Sequence, residues 1–342
     1  MWAAGANAFG QLGIDSTKNT IAINFIAVFS GEATAVAAGA GHSIVLKQDG
    51  SAWSAGRNIY GQLGDGSNAD KDDFVQVIPH NAKAVAAGAE HSLVLLLDGS
   101  VWAIGHNERG QLGDGSTADW NNFLEVIKSG VKALAAGCHH SMVLKQDSSV
   151  WVTGENTYGQ LGAGSTDQKH SFVKMISGEA KAIAAGSRHS MVLKEDGSVW
   201  ATGENEYGQL GDGSIDLKRI FLQVIARGVK AIAAGNDHSI VLKQDGSVWA
   251  TGRNNFGQLG KGESKFESTF VQIITGGTQA VAAGGWHSMI FKHDGSLWAT
   301  GANLHGQLGD GSKMSKSKYV KVWLPSIGAC YGFVALIIHV FH

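Results

Sequence analysis

Two cysteines and two prolines in 342 residues leave little covalent or conformational stiffening to hold this chain. Cys138 and Cys330 cannot make a disulfide framework, and so few cysteines fit a reducing compartment. Charge of one sign is also missing: 27 Lys and Arg stand against 29 Asp and Glu. No global field would therefore draw the protein onto nucleic acid or an anionic membrane. There is no Asn-X-Ser/Thr acceptor and no charged-then-apolar N-terminal leader, so an intracellular, soluble protein is expected. What the chain does have is glycine, 48 residues of it, which in a sequence this poor in proline implies many tight turns.

The second abundance is periodic. Trp2, Trp53, Trp102, Trp151, Trp200, Trp249 and Trp298 recur at one interval of 51 residues and five of 49. Each opens one phrase, clearest as Trp-Ala-Thr-Gly-Glu-Asn-Glu-Tyr-Gly-Gln-Leu-Gly-Asp-Gly-Ser from Trp200 onward. A period near 50 marks a repeat architecture. Seven periods occupy nearly the whole chain, so a single domain spanning 1–342 is expected, with no room for a separate catalytic module.

One unit reads as four strands, here lettered A to D. Val229 to Gly235 is short and alternating, and His238 to Lys243 is a second run. Asp245-Gly246 supplies a hairpin turn, Ser247 to Gly252 a third strand, and Phe270 to Ile274 a fourth. Four strands in about 50 residues is the arithmetic of a β-propeller blade. A helical repeat fails, because β-branched residues and turn glycines interrupt every candidate helix. Strand A ends Ala-Ala-Gly in six copies, which places it at a crowded hub. The strand C tryptophan then fills the gap where sheets diverge.

The expected architecture is an all-β, seven-bladed propeller with four antiparallel strands per blade, closed by N- and C-terminal strands in one shared blade. Six blades are complete in sequence, from Thr34 to Tyr319. The N-terminus begins at a strand C, so the degenerate segment 324–342 is expected to supply strands A (Ser326 to Gly332) and B (Phe333 to His342). A divergent end and a membrane-spanning tail remain as alternatives, since 19 uncharged residues approach the length of a spanning helix.

The recurrence of Gly-Gln-Leu-Gly after Trp-Ala-x-Gly-x-Asn, with Ala-Ala-Gly-x-x-His-Ser-x-Val-Leu, resembles the regulator of chromosome condensation repeat over about residues 1–322. That resemblance implies a seven-bladed propeller. The family includes an exchange factor for the GTPase Ran, a plant ultraviolet-B photoreceptor, propellers attached to ubiquitin ligases and a β-lactamase inhibitor, so membership leaves function open.

Chemistry is hard to find in the repeats. His and Ser of each pair (His42, His91, His140, His189, His238 and His287, each followed by Ser) point to opposite faces of a strand, which argues against nucleophilic catalysis. His139-His140 beside Cys138 has no second half at zinc spacing, and the Asp-Gly-Ser runs lack calcium-loop spacing. No Walker lysine loop occurs. No enzyme activity, cofactor or metal is expected. The recurring asparagines, such as Asn58 and Asn205, read as turn braces.

The informative positions are those where units disagree. Between strand A and the His lie Glu90, Cys138 and His139, Ser187 and Arg188, Asn236 and Asp237, and Trp286. The C–D loops add Arg57, Arg109, Tyr158, Tyr207 and Arg253. Alternating strand direction puts both sets on one face, a candidate site for a protein partner. The expected function is a non-enzymatic, monomeric interaction scaffold. The alternative, implied by the resemblance, is a guanine-nucleotide exchange factor for a Ran-like small GTPase. Against it, the constant intervals leave no inserted wedge, and no basic N-terminal arm precedes Trp2. Light sensing is disfavoured, because only Gly285-Trp286-His287-Ser288 approaches the photoreceptor's Gly-Trp-Arg-His-Thr. The run Lys313, Lys316, Lys318 and Lys321 reads as a solvated loop.

Overall fold

The computed structural model describes residues 1–263, 265–323 and 336–338. It is a ring of sheets built as the repeat dictates. In the unit at 229–274, strands run Val229–Ala234, His238–Lys243, Val248–Arg253 and Phe266–Ile274, hydrogen-bonded in that order and antiparallel throughout. Strand B is the blade's dry centre: Ser239, Ile240, Val241 and Leu242 are buried on both faces. Strand D starts four residues earlier than the sequence suggested. Its polar start, Glu267-Ser268-Thr269, pairs through a register shift opposite Ala250 and Gly252, which breaks the alternation a strand is read from.

Six such four-stranded blades occupy 33–78, 82–127, 131–176, 180–225, 229–274 and 278–322. The expectation of seven blades, each of four antiparallel strands, is corrected here: the protein is an all-β propeller of six blades. Between the sixth and the first lies a sheet of a different kind, with three described strands in the order Ile21–Ala27, Trp2–Ala6, Leu336–Ile338. Leu336–Ile338 pairs with Trp2–Ala4 in parallel, whereas a strand B must run antiparallel to its strand C. No hairpin joins these two ends of the chain, so no turn fixes their relative direction. The expected strand A at 326–332 lies outside the described residues, as does most of the tail in which a membrane span was weighed. No helix among the described residues is long and apolar enough to cross a membrane.

The three-stranded sheet still completes the ring. Ala4 and Phe25 share a buried cluster with Met289, Leu297, Leu308 and Val322 of the sixth blade, while Ala3 and Leu12 pack with Val45 of the first. Each C–D loop also reaches the next strand D: Gly164 N donates to Arg219 O at 2.7 Å, Gly213 N to Ser268 O at 2.8 Å, and Gly311 N to Ile23 O at 2.9 Å.

The His-Ser pairs are the joints between blades. His140 Nε2 meets Ser190 Oγ of the next blade at 3.0 Å, and Ser190 Oγ donates back to Gln160 O at 2.7 Å. Because the serine proton goes to the carbonyl, the serine accepts from the imidazole, which fixes the Nε2–H tautomer. The joint repeats from His42–Ser92 to His238–Ser288. The hub needs glycine beside it: a Cβ on Gly137 would lie 2.2 Å from His140 Cε1 and 2.5 Å from Gly186 O of the next blade.

The tryptophans fill the gaps between blades. Trp249 packs against Met191, Leu193 and Val199 of the preceding blade. Its Nε1 donates to Ser247 Oγ at 3.0 Å, which donates to Asp245 Oδ1 at 2.6 Å, so the Asp-Gly-Ser-x-Trp phrase is one hydrogen-bonded chain.

Candidate functional site: the loop face

At the A–B turns the blades are sewn together by backbone. Ala40 N donates to Ala89 O, Ala89 N to Cys138 O, Cys138 N to Ser187 O, Ser187 N to Asn236 O and Asn236 N to Gly285 O, at 3.0–3.3 Å. This ring sits at the mouth of an axial channel lined by the Ala-Ala-Gly ends of strand A. Above it opens a basin whose wall includes Phe9, Arg57, His139, Arg188, Asp237 and Trp286. Residues that the repeat leaves variable thus share one concave surface, with the A–B turns as floor and the C–D loops as rim.

Around that rim, aromatic and cationic groups interlock from blade to blade. Arg57 lies over the Phe9 ring at 5.3 Å and pairs with Glu90 at 3.2 Å. Arg188 lies over Tyr158 at 4.5 Å and approaches Glu204 at 3.7 Å. Arg253 lies over Tyr207 at 4.7 Å and pairs with Asp237 at 3.1 Å. Trp286 stacks, tilted, on Phe256 at 5.6 Å. Tyr60 stacks on His106 at 4.4 Å, and His106 meets His139 edge-on at 6.1 Å. Most stacks set a residue just before Gly-Gln-Leu-Gly against a side chain of the following blade.

Of the residues expected at a partner face, the structure gathers Arg57, Glu90, Cys138, His139, Ser187, Arg188, Asn236, Asp237 and Trp286 around one basin; sequence reasoning left out Phe9, His106 and Phe256. A signal for two of them was present, since the position before Gly-Gln-Leu-Gly is Phe9, Tyr60, Tyr158, Tyr207 or Phe256 in five units. His106 had none, because the residue after the strand C glycine varies freely. Arg109 occupies the aromatic position in its own unit. Asn236 contributes through its backbone to the hub ring.

Cys138 lies 2.9 Å from Ser187 Oγ, and burial pushes its thiol up to about 12, so it stays protonated and non-nucleophilic. Burial also raises Glu204 above the ordinary carboxylate range, against the pull of Arg188. Among the described residues no group of three or more His, Cys, Asp or Glu is placed to hold a metal ion. Five of the six strand B histidines are sealed in the joints and His287 is equally buried, and the two groups of each His-Ser pair do not face each other.

The sequence matches the family model of the RCC1-like domain over residues 1–334. A stretch of 71 residues, 20% of this chain, is 41% identical to protein RCC2 of mouse, of which it spans only 14%. Among solved structures, yeast RCC1 (Prp20), crystallised with Kap60, superposes with a TM-score of 0.85 at 21% identity, covering 94% of this chain and 83% of its own. Human WBSCR16 does so with a TM-score of 0.85 at 22% identity, covering 95% and 93%. At such identities the likeness is one of fold.

Proposed function

Since the chain belongs to the RCC1-like domain family, we propose that it is a non-enzymatic interaction propeller, one domain that binds a protein partner through its loop face. The observation that carries this reading is the basin. Variable side chains from successive blades converge there, while the residues common to every unit are spent on joints, turns and hub. Aromatic and arginine side chains enrich its wall, and these are the types that carry binding energy at protein interfaces. The low cysteine content supports an intracellular protein.

Affinity capture with the intact protein and with Arg188→Ala or Trp286→Ala tests this reading. Both variants should unfold at the parent's temperature, because their side chains line the basin and lie outside the blade cores, yet lose the partner. A partner retained by both variants would count against the basin.

Exchange on a Ran-like GTPase is the second reading. It is favoured by one comparison: Prp20p of Saccharomyces cerevisiae, at a TM-score of 0.84 and 20% identity, is described with its binding properties to Gsp1p and histones. A nucleotide-release assay with a Ran-like GTPase separates the two readings, since a scaffold leaves the release rate unchanged.

A further inference from the structure

Three of the rim's arginines are matched from within the ring, and a fourth is not. Arg57, Arg188 and Arg253 each have an aromatic ring beneath them and a carboxylate within 4 Å. Arg109 stands where other units place the aromatic, and among the described residues its guanidinium has neither ring nor carboxylate.

A second departure from the repeat lies against it. The lysine opening strand D pairs with the aspartate of its own C–D loop in three blades: Lys71 with Asp65, Lys218 with Asp212 and Lys316 with Asp310, at 3.1–3.3 Å. Lys169 holds the same register, opposite Gly154, but its loop carries Ala163 in place of the aspartate. Its ammonium has no carboxylate partner among the described residues. The two backbones touch: a Cβ on Gly110 would lie 2.6 Å from His170 Cα and 3.0 Å from Lys169 O. His170 is exposed. Two neighbouring carboxylates are engaged elsewhere. Glu108 faces His106 at 3.8 Å, and Asp114 accepts hydrogen bonds from Asn107, Ser116 and Trp120.

We propose that the seam between the second and third blades, at Arg109, Lys169 and His170, docks a short acidic segment of the protein partner. This rests on the interaction reading of the loop face and names what part of the partner it receives. Lys169, whose counter-charge Ala163 has replaced, and Arg109, a cation where other units place an aromatic, are matched by carboxylates from outside, Arg109 by a two-pronged pair and Lys169 by a point contact. An extended polyanion such as nucleic acid fits poorly. Beyond the seam it would meet Glu90, Glu155, Glu204, Glu206 and Asp237, and like charges across an interface are repelled.

The probe is a fluorescein-labelled hexaglutamate peptide, followed by anisotropy at low salt. Arg109→Tyr restores the aromatic of the other units. Ala163→Asp restores the counter-charge of Lys169 inside the blade, and neither change should weaken the fold. Each is expected to weaken peptide binding by about fivefold and the pair by more than tenfold, on the scale of one or two charge-assisted contacts. Lys218→Gln, whose charge is already matched by Asp212, should change it less than twofold. Absence of binding, equal loss with Lys218→Gln, or no loss with the double variant overturns the proposal. So does a 20-nucleotide single strand that binds more tightly than the peptide with the same variant pattern. A partner captured normally by the double variant but lost with Trp286→Ala overturns the seam and leaves the interaction face standing. A partner lost with neither overturns both.

Discussion

Single residues in this protein answer to their neighbours in the next blade more than to their own. Gly137 has ordinary backbone angles, so the demand on it is space and not conformational freedom. Gly137→Ala forces its methyl into the His140 ring and the Gly186 carbonyl. Neither is the far end of a flexible side chain, so the joint must open. A loss of about 3 kcal/mol or more is expected from overpacking combined with a broken buried hydrogen bond, read as a lower midpoint in urea unfolding. Ser148 poses the opposite case. It stands at the glycine position of Asp-Gly-Ser, with φ of 62°, and pays for a left-handed conformation that glycine adopts freely. Ser148→Gly relieves about 1 kcal/mol of strain and returns part of it as unfolded-state entropy. The bond from Lys132 Nζ to Ser148 Oγ is also lost, but it is only partly buried. A net gain of about 0.5 kcal/mol is expected in the same assay, and a loss of 1 kcal/mol would refute the strain argument. Such positions stand out in sequence as breaks in a repeat, whereas the contact that makes Gly137 indispensable lies a full unit away.

Among the elements, strand C carries the sheet-to-sheet wedge. Trp249 is only half-buried, because its outer edge reaches solvent and Lys243 covers its face at 3.9 Å. Trp249→Ala should therefore cost about 3 kcal/mol, the lower end of what a tryptophan truncation costs. Trp249→Phe keeps most of the packing but orphans Ser247 Oγ as an acceptor, and should cost about 1 kcal/mol. Equal costs for the two would mean that the hydrogen bond, and not the ring, holds the blades together. Strands A, B and C were legible because alternation, Asp-Gly turns and a tryptophan mark each of them. Strand D was legible only from Phe270 onward, since its first residues are polar and its register slips. The segment Leu336–Ile338 was misread for a related reason. It has neither an Asp-Gly turn nor a His-Ser pair, and nothing local tells such a strand which way to run. The loop face was legible as a surface, because repetition identifies what is structural by subtraction. Its interlocked pairs were not, since each joins residues of different blades whose approach depends on the packing angle.

Across the whole molecule, the joints make the ring acid-sensitive as a unit. Burial pushes His140, His238 and His287 down to about 3 and His189 to about 4, and lowers His91 well below the ordinary histidine value through burial and neighbouring histidines. Unfolded, each returns to about 6.5. Between those limits the unfolded chain holds more protons than the folded one, so stability falls as pH falls. Above about pH 6.5 both states are neutral at these groups, and the penalty vanishes. Each histidine contributes a slope approaching 1.4 kcal/mol per pH unit between about pH 5.5 and its folded value. Below about pH 4 the hairpin aspartates add to the effect: serine hydrogen bonds hold Asp147 and Asp245 below the ordinary carboxylate range, and protonation removes that support. Because five joints tie the six four-stranded blades in series, the ring should not shed blades one at a time. We expect Tm to be level from pH 8 to 7, to fall progressively from about pH 6.5, and to do so in a single transition whose pH dependence corresponds to uptake of several protons. Replacing one joint histidine, as in His140→Gln, should lower stability at pH 7 yet reduce that slope by about one proton. A Tm unchanged between pH 7 and pH 5 would mean that these histidines take up protons as readily in the folded ring as in the unfolded chain, and that the serine contacts are not what couples its blades.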